Sequence, residues 1–533
     1  MRVLIFHGYL LGGTGSNVYN ARLAEALVKL GHEVHLLSQD RHPERHRFVD
    51  AFGSWDRGVL ELEVVREPVR CTVYRPDVGR LLPVYVQDRY EGIQAKTFAQ
   101  CSEAEVAAYV QANVDAVREI AERASPDVAL ANHLVMGPVI LARALAGKTP
   151  YAVKVHGSAL EYTVKRDPDR FLSFAREGLA QARTVLVGSR HTAVSLWEAL
   201  GGVGGASIKQ RTRLGPPGVD VERFAPREPQ QAQAALRGLV DRLRESARLT
   251  TDEQSSAFAR DDAAAAAAVE RVADGTGDLV AFVGKLIAAK GVDLLIAAWP
   301  LVLRSVPDAR LVIVGFGAYR EGLERLVARL AEGDLEGARE IARAGRSLET
   351  SCPPSAGVPP AIDAAPLRHL LAFLSSLSGA EAEAYRATAH AIGERVVFTG
   401  RLDHDELADL LPACEALVVP STFPEAFGMV AAEAAACGVL PVSARHSGLA
   451  EVSDAIAREI PAQAGAWLSF PVDDDSVRAL AERVVGWLQA DPELKAQTRV
   501  GLVSVARERW SWEGVARGVI AAARGEPVSR AFG

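Results

Sequence analysis

Short apolar segments alternate with helix-patterned stretches along most of the chain, and this alternation most constrains the fold. Parallel strands that are covered on both faces are apolar throughout, and helices connect them. The pattern therefore predicts an α/β protein with doubly wound parallel sheets. The strand candidates fall into two sets, residues 3–6, 34–37, 127–131, 151–155 and 184–187, and then 279–283, 311–314, 396–398, 416–419 and 439–442.

Two stretches interrupt the alternation and indicate how the chain divides. Residues 226–277 are rich in Ala, Arg, Asp and Gln, a composition typical of surface helix or linker rather than core. Residues 331–394 form a longer, helical insertion with a proline-rich centre that should be loop. Because 533 residues exceed a single core, we expect domains over 1–225 and 278–490, with the segment 226–277 between them and C-terminal helices over 491–533.

Composition excludes several classes of function. The net charge of −7 argues against nucleic acid as the main partner, since phosphate binding needs basic surface. The five cysteines contain no CxxC pair, which argues against a disulfide framework or zinc ribbon and fits a reducing cytoplasm. No signal peptide precedes the first strand, and no apolar stretch reaches the roughly 20 residues that span a bilayer. We therefore expect a cytoplasmic protein, with peripheral contact to a membrane left open.

Three groups of titratable residues carry weaker signals. His42 and His46 imitate zinc-ligand spacing, but they lack the His-Glu-x-x-His order and an apolar helix around them. The run 473–475 is acidic but precedes a helix-patterned segment, where a solvated helix start is the simpler interpretation. No metal site is expected. His133, near a strand end, would either line an acceptor site or be a buried, satisfied histidine.

A glycine-rich loop follows the first strand. Gly12, Gly13 and Gly15 precede a helical stripe that includes Leu23 and Leu27. Glycine costs backbone entropy, so three glycines in four positions indicate a tight turn or a close approach of backbone amides to a ligand. The residues alone establish only the turn.

Two lysines follow the first strand of the second set. The strand ends at Gly284, Lys285 comes next, and Lys290-Gly291 lies five residues further on. Ligands of open parallel sheets bind beyond the carboxyl ends of strands, so these cations could neutralise a pyrophosphate. Solvated surface lysines are the simpler alternative.

Two glutamates flank a predicted helix start at the fourth strand of the second set. Glu425 lies in the loop, the helix is expected to begin near Phe427, and Glu433 lies eight positions after Glu425. The first backbone amides, those of Gly428, Met429 and Val430, have no partner within the helix and could bind an anion. Glu433 could then accept hydrogen bonds from vicinal hydroxyls, although an exposed glutamate on an Ala-rich helix remains an alternative.

Taken together, these motifs resemble the retaining GT-B glycosyltransferases, in particular family 4, the glycosyl transferases group 1 type. The resemblance implies two Rossmann-like domains facing across a cleft, with the C-terminal segment crossing back to the first domain. The matching segments, in family order, are GGTGSN, KVHGSALEY, GPPGVDVERFAP, VGKLIAAKGVDLLIAAW, VVFTGRLDHDELADLLPACEALVVPS, PEAFGMVAAEAAACG and SWEGVARGVI.

The resemblance assigns roles to the nucleotide-binding residues. Gly12 and Gly13 would face the donor pyrophosphate, and Lys285 and Lys290 would grip the phosphates. Glu433 would hold the ribose hydroxyls. Arginine is usual where this chain has Lys285, so a point charge replaces a bidentate guanidinium.

The resemblance also assigns residues to the sugar and the base. Glu425 would contact the transferred sugar, and His156 would lie by the donor sugar and the acceptor. The loop that holds Gly400 and Leu402 would lie near the base.

The implied activity is metal-independent transfer of a sugar from a nucleotide diphosphate sugar to an acceptor hydroxyl, with retention of configuration. No cofactor is expected, and the acceptor could be a small metabolite, a lipid or a glycan. Two alternatives stay open: a nucleotide-sugar 2-epimerase of the same architecture, and a non-catalytic sugar-nucleotide-binding protein.

Overall fold

The computed structural model describes residues 1–85, 94–249, 260–348 and 365–527. They form two compact units, one of Met1–Gly218 with Trp510–Gly533 and the other of Val219–Arg509. The segment 226–277 therefore belongs to the second unit, whereas the sequence analysis set it apart as a linker or helical insertion between two domains. Only the residues from Trp510 onward, rather than from 491, return to the first unit.

The first unit contains a nine-stranded sheet in the order β11-β10-β9-β8-β1-β2-β5-β3-β4, and β6 and β7 form a separate pair. All of its neighbouring strands are parallel except β3 and β4, which form an antiparallel hairpin at one edge. The strands are β1 Arg2–Phe6, β2 Glu33–Leu37, β3 Ala51–Asp56, β4 Val59–Val64, β5 Cys71–Arg75, β6 Leu81–Val84, β7 Gln94–Thr97, β8 Val128–Asn132, β9 Tyr151–Val155, β10 Thr184–Val187 and β11 Thr212–Leu214.

Helices cover both faces of this sheet, which explains the uninterrupted apolar strands. Along β1, Val3 and Ile5 face one hydrophobic cluster, and Leu4 and Phe6 face the other. Trp512 and the rest of the C-terminal helix pack into the first cluster beside the helix that follows the glycine loop. The helices are Gly15–Lys29, Glu103–Ala124, Gly137–Leu145, Gly157–Ala159, Pro168–Ala180, Arg190–Leu200, Gly202–Arg211 and Trp512–Arg524.

The second unit contains a six-stranded, fully parallel sheet in the order β14-β13-β12-β15-β16-β17. This is the order of a Rossmann sheet. Its strands are β12 Leu279–Val283, β13 Arg310–Val314, β14 Val396–Gly400, β15 Ala416–Val419, β16 Leu440–Ala444 and β17 Ser469–Phe470. Its helices are Pro229–Leu249, Asp262–Asp274, Val292–Ser305, Arg320–Ala331, Leu335–Ala344, Arg368–Ser376, Gly379–Ala389, Ile392–Arg395, His404–Leu410, Met429–Ala436, Ser447–Ala457, Ala462–Gly465, Ser476–Leu488 and Pro492–Trp510.

The segment 226–277 carries a buried apolar face, so the expectation that it contributes no core is wrong. Its helices Pro229–Leu249 and Asp262–Asp274 pack against each other. Leu236, Leu239 and Leu243 recur at helical spacing and are all buried. The composition is polar overall, but the periodicity of these leucines carries the packing signal. The first of these helices also packs against His404–Leu410.

The insertion over 331–394 is helical where the structure describes it. Phe373 and Tyr385 are buried, and the Tyr385 hydroxyl donates a hydrogen bond to the Ala297 carbonyl over 2.8 Å. The insertion is thereby fixed to the helix that follows β12. Most of its proline-rich centre, predicted to be loop, lies outside the described residues.

Two further findings concern sequence expectations. Cys71, Cys101, Cys414 and Cys437 are buried free thiols, and Cys352 lies outside the described residues. Within the described ranges, no helix combines the length and apolarity needed to cross a bilayer.

Gly291 provides a test of the packing at the carboxyl edge of the second sheet. A Cβ at this position would lie 2.0 Å from the Pro420 oxygen, and φ is +65°. Gly379 has φ of +52° but open space around it. Gly379→Ala should cost about 1 kcal/mol from backbone strain, whereas Gly291→Ala should cost about 3 kcal/mol or more. Urea denaturation measures both, and equal losses would show that the close contact is absent.

Candidate active site

The strand order of the second sheet reverses between β12 and β15. From β12 the chain continues to β13 and β14 on one side, while β15, β16 and β17 lie on the other. Ligands of open α/β sheets bind outside the carboxyl ends of the strands at such a switch point. The loop after β12 carries Lys285 and Lys290, and the loop after β15 carries Glu425. The predicted charged residues therefore share this edge.

Backbone hydrogen bonds join the loops at this edge. The Thr422 amide donates to the Ala289 carbonyl over 2.9 Å, which links the loops after β15 and β12. The Gly315 amide donates to the Gly400 carbonyl over 2.9 Å and links the loop after β13 to the end of β14. Gly291 permits the first of these approaches, because any side chain there would meet the Pro420 carbonyl. The fold thus positions the site through main-chain contacts.

Lys290 contacts Glu425 directly. It ends the short 3₁₀ helix Ala288–Lys290, and its Nζ is hydrogen-bonded to Oε1 of Glu425. The side chains are 30% and 24% exposed, so the pair can be reached by a ligand. An ammonium has three donors and can hold a glutamate and a phosphate oxygen together. Lys285 is exposed two residues after the end of β12. The phosphate contacts of both lysines stay predictions.

Three residues that sequence reasoning missed position Glu425. The Ser421 hydroxyl donates to Oε1 of Glu425 over 2.7 Å, and the Ser447 hydroxyl accepts from the Glu425 amide over 2.9 Å. His446 bonds to the Ser421 carbonyl through Nε2 over 2.7 Å and to Ser447 through Nδ1 over 2.9 Å. Ser421 lies four residues before Glu425 in the same loop and could have been noticed. The other two come from the loop after β16, a contact that spacing does not reveal.

The helix after Glu425 begins at Met429, two residues later than predicted, and ends at Ala436. Gly428 adopts φ of +113°, and a Cβ there would lie 2.6 Å from Leu449. The glycine is therefore needed both for its conformation and for the close packing of the helix start. The amides of Met429 and Val430 are the first of this helix and have no partner within it. Phe427 is a buried side chain.

Glu433 is a buried carboxylate with one open acceptor. It is 1% exposed, and its Oε1 lies 2.8 Å from Nε2 of His404. Its Oε2 has no hydrogen-bond partner among the described residues. A buried carboxylate oxygen without a donor is costly, so this atom is poised to accept a hydrogen bond from a hydroxyl. The lone pairs of Oε1 also allow a second donor beside His404.

His404 was missed by sequence reasoning, and its position depends on the helical segment 226–277. It opens the helix His404–Leu410, whose start is capped reciprocally by Asp403 and Glu406. Nη1 of Arg260 donates to Oε2 of Glu406 over 2.5 Å. Gly400 ends β14 with φ of +77°, and Leu402 after it is buried. Their predicted proximity to the base stays a prediction.

The first sheet also has a switch point, between β1 and β8. The loop after β1 carries the glycines, and the helix after it begins at Gly15. Gly13 has φ of +90°, and the space around the Cα of Gly12 is open. The Asn17 side chain donates to the Gly12 carbonyl over 2.7 Å, which holds the loop. The predicted turn is present, while its contact with a pyrophosphate stays a prediction.

A chain of buried hydrogen bonds joins this loop to His156. Nε2 of His7 lies 3.0 Å from Oδ1 of Asn17, and Nδ1 of His7 lies 3.0 Å from Nδ2 of Asn20. Asn132 donates to Oδ1 of Asn20 over 2.7 Å, and its own Oδ1 lies 3.0 Å from Nε2 of His156. Because Asn132 uses its amide hydrogens elsewhere, His156 must donate through Nε2. Its Nδ1 is then the basic nitrogen.

Burial keeps the histidines of this network neutral. Burial lowers the pKa of His7 to about 4. It also lowers the pKa of His156 well below its usual range, and the neighbouring His133 and Lys154 add to that effect. The ring centroids of His133 and His156 are 4.9 Å apart. His133 is 2% exposed, adopts φ of +68°, and neither ring nitrogen has a hydrogen-bond partner in the described part of the chain. It is buried but not satisfied.

Lys154 is a buried lysine that sequence reasoning missed. Burial lowers its pKa to about 7. Its Nζ donates to the Gly215 carbonyl and lies 5.4 Å from the centroid of the Tyr19 ring.

In residues 1–85, 94–249, 260–348 and 365–527, no three His, Cys, Asp or Glu side chains are arranged to hold a metal ion.

Family models match three segments of the chain. Residues 14–206 match a glycosyl transferase 4-like domain, and residues 277–365 and 377–497 each match glycosyl transferases group 1. The segments cover the helix after the glycine loop and His156 in the first unit, and both glutamates in the second.

The curated relatives are distant glycosyltransferases. D-inositol 3-phosphate glycosyltransferase of Segniliparus rotundus is 27% identical over 49% of this chain and 42% of its own length. A GDP-mannose-dependent α-(1-6)-phosphatidylinositol monomannoside mannosyltransferase of Mycolicibacterium smegmatis is 26% identical over 56% of this chain and 52% of its own length. The chain thus spans about half the length of the curated relatives it matches.

Solved structures share the fold across the whole chain. Sucrose-phosphate synthase from Thermosynechococcus elongatus has a TM-score of 0.53 at 18% identity, covering 98% of both chains. Anabaena HepE in complex with UDP and glucose has a TM-score of 0.53 at 15% identity, covering 98% of this chain and 99% of its own.

Two Rossmann-like parallel sheets and these neighbours define the GT-B class of α/β proteins. Within that class, the chain belongs to the family 4 type of glycosyltransferases, to which the glycosyl transferases group 1 and 4-like models correspond. The fold and family predicted from the motifs are confirmed.

The buried histidines predict acid sensitivity of the first unit. Burial lowers the pKa of His133 well below its unfolded value, so the unfolded chain binds more protons below about pH 6.5. Stability is then lost as pH falls from 6.5, by up to about 1.4 kcal/mol per pH unit for each such histidine. Thermal melts between pH 7.5 and 5 should show a smaller loss in His133→Phe than in the wild type. Replacing the exposed His42 with Asn should change nothing; equal acid sensitivity in all three proteins would contradict the assignment.

Proposed function

We propose that the protein transfers a sugar from a nucleotide diphosphate sugar to an acceptor hydroxyl, with retention of configuration. The observation that carries this proposal is the buried Glu433, one carboxylate oxygen of which has no partner among the described residues, in the unit whose sheet switch point carries Lys285, Lys290 and Glu425. Glu433 can accept hydrogen bonds from ligand hydroxyl groups, and the positive charge of the two lysines suits a diphosphate. Family membership supports the same reading.

The chemistry is stabilisation of a leaving diphosphate. The lysines and the first amides of helix Met429–Ala436 balance the charge that develops as the glycosidic bond breaks. The departing diphosphate takes the proton of the acceptor hydroxyl, so no strong side-chain base is required. Glu425, held by Ser421 and Lys290, contacts the transferred sugar. No cofactor or metal ion takes part, and the reaction occurs in the cytoplasm.

His156 serves in this reaction as a neutral hydrogen-bonding group. Its Nε2–H is used by Asn132, so Nδ1 is left to accept a hydrogen bond from a sugar or acceptor hydroxyl. The lowered pKa supports this role, because a protonated imidazole would have no acceptor.

Incubation with labelled UDP-, GDP- and ADP-sugars tests the proposal. Transfer or slow hydrolysis of one donor, with the anomer of the product retained, is the expected result. Epimerisation of the sugar without transfer would indicate the nucleotide-sugar 2-epimerase alternative. Binding without turnover, at every acceptor tried, would indicate a non-catalytic sugar-nucleotide-binding protein.

The two glutamates should fail in different ways. Ribose contacts exist in both ground and transition states, so Glu433→Gln should mainly raise the donor KM. Contacts to the moving sugar strengthen as charge develops, so Glu425→Gln should mainly lower kcat, by about 10²-fold. Steady-state kinetics with one donor distinguish the two. An intact kcat in Glu425→Gln with an abolished kcat in Glu433→Gln would reverse the assignment.

Lys285 should act on the phosphates rather than on the nucleoside. Lys285→Ala should weaken nucleoside diphosphate binding by about tenfold and leave nucleoside binding unchanged, because only the former carries the charge. Calorimetric titration with UDP and uridine, or with the base that the donor screen selects, measures both. Lys209→Ala, in the first unit, is the control; equal losses for both ligands would place Lys285 away from the phosphates.

A further inference from the structure

A cavity of about 380 Å³ opens in the first unit, beyond the carboxyl ends of β2, β5 and β3. Its volume lies within the range of small-ligand sites. Arg41, Arg75 and Arg80 line it, together with Trp55 and Gln39. None of the residues assigned to the donor lies here.

Arg75 and Arg80 carry the charge that matters for binding in this cavity. Asp77 is its one acidic lining residue, and a carboxylate oxygen of Asp77 accepts the Gly79 amide over 3.0 Å. Within the described part of the chain, neither Arg75 nor Arg80 is paired with a carboxylate. Other arginines of this unit are paired, as Arg143 is with Glu177 over 2.7 Å. A cavity lined by two guanidinium groups that have no carboxylate partner among the described residues favours an anion.

The cavity is held in shape without a ligand. Nε2 of Gln39 donates to the Pro76 carbonyl over 2.9 Å and fixes the loop after β5. Nε1 of Trp55 donates to Oε2 of Glu119 over 2.7 Å, which fixes the indole. Arg75 ends β5 in register with Ser54 of β3, so the side chain starts from a sheet rather than from a free loop. Such preorganisation lowers the entropic cost of binding.

The cavity shares the carboxyl edge of the sheet with the glycine loop and His156. The strands run β9, β8, β1, β2, β5 across this edge. Neighbouring strands lie about 4.8 Å apart, so β5 is roughly 10 Å from β1 and roughly 19 Å from β9. A ligand of a few sugar-sized units could span from the cavity to His156.

We infer that this cavity binds a phosphate group carried by the acceptor, with Arg75 and Arg80 as its ligands. That the phosphate belongs to the acceptor substrate rests on the proposed function, but phosphate binding itself can be tested without a donor. Two arginine forks match phosphate oxygens, and Trp55 offers an apolar face to the ring that carries the phosphate. The phosphate could belong to a soluble sugar phosphate or to a phospholipid headgroup.

Calorimetric titration of the full chain with glucose 6-phosphate, and with glucose as its uncharged counterpart, tests the site. Glucose 6-phosphate should bind at least tenfold more tightly than glucose, and Arg75→Gln and Arg80→Gln should each remove about tenfold of its affinity. Arg75→Lys should recover part of the loss. Arg70→Gln is the matched control, since Arg70 is exposed and immediately precedes the opposite end of the same strand.

Vesicles distinguish the two sources of phosphate. Co-sedimentation with vesicles of phosphatidylglycerol and phosphatidylcholine, against phosphatidylcholine alone, reports a headgroup. Binding to either probe that falls in Arg75→Gln but not in Arg70→Gln supports the site. Equal affinity of wild type and Arg75→Gln for both probes, or equal losses in Arg70→Gln, overturns it, as does tighter binding of glucuronate than of glucose 6-phosphate.

Two controls keep the inference separate from the proposed function. Glu433→Gln should leave glucose 6-phosphate binding unchanged, because it lies in the other unit. Arg80 is exposed, so Arg80→Gln tests the site even where Arg75→Gln does not fold. If the protein turns over a donor but phosphate binding does not depend on the arginines, the inference about the acceptor is wrong and the proposed function stands.

Discussion

The contact between Gly291 and the carbonyl of Pro420 fixes the site of the second unit. It brings the loop after β12 against the loop after β15 at the point where the strand order reverses. Only because these loops touch does Lys290 reach Glu425, and the Thr422 amide reach Ala289. A residue with a side chain at Gly291 would separate the cation from the carboxylate. The proximity of Lys290 and Glu425 is therefore a consequence of backbone packing between the two loops.

A second constraint acts on Glu433. Its carboxylate is removed from water, and its partner among the described residues is His404, whose helix is packed against the segment 226–277. A buried carboxylate with an unpartnered oxygen is tolerated only where the surroundings hold it in place. The extra helices thus do more than fill space, since they support the residue that orients Glu433. Oε2 of Glu433 is thereby left without a donor among the described residues, as the proposed contact with a ribose hydroxyl requires.

Short apolar runs in the sequence correctly predicted several buried strands. The strands at 151–155, 184–187, 279–283 and 416–419 have the predicted bounds, because apolar runs bounded by turn residues define them directly. The edge hairpin of β3 and β4 was missed. Val59 and Leu62 of β4 are exposed, and the strand mixes apolar with charged residues, so it lacks the continuous apolar run of a buried strand. The helical pair of 226–277 was misjudged because composition conceals three regularly spaced leucines.

The candidate site divides in the same way. Glu425, Glu433 and the lysines were found from spacing and resemblance, while His404, Ser421, His446 and Ser447 were not. Their roles arise from contacts between distant parts of the chain, such as Ser447 with the Glu425 amide. Likewise, the buried relay of His7, Asn20 and Asn132 joins three strands or helices and has no linear motif. The sequence predicts which charged residues lie near strand ends. Only the fold shows which other side chains contact and position these charged residues.

We propose that the switch point of the second sheet binds a nucleoside diphosphate through Glu433 and the loop lysines. A crystal structure of the protein with the nucleoside diphosphate that binds most tightly tests it directly. The account predicts ribose hydroxyls within hydrogen-bond distance of Oε2 of Glu433, and phosphate oxygens near Lys285 and the amides of Met429 and Val430. A nucleotide bound elsewhere, with Oε2 of Glu433 still without a donor, would contradict it.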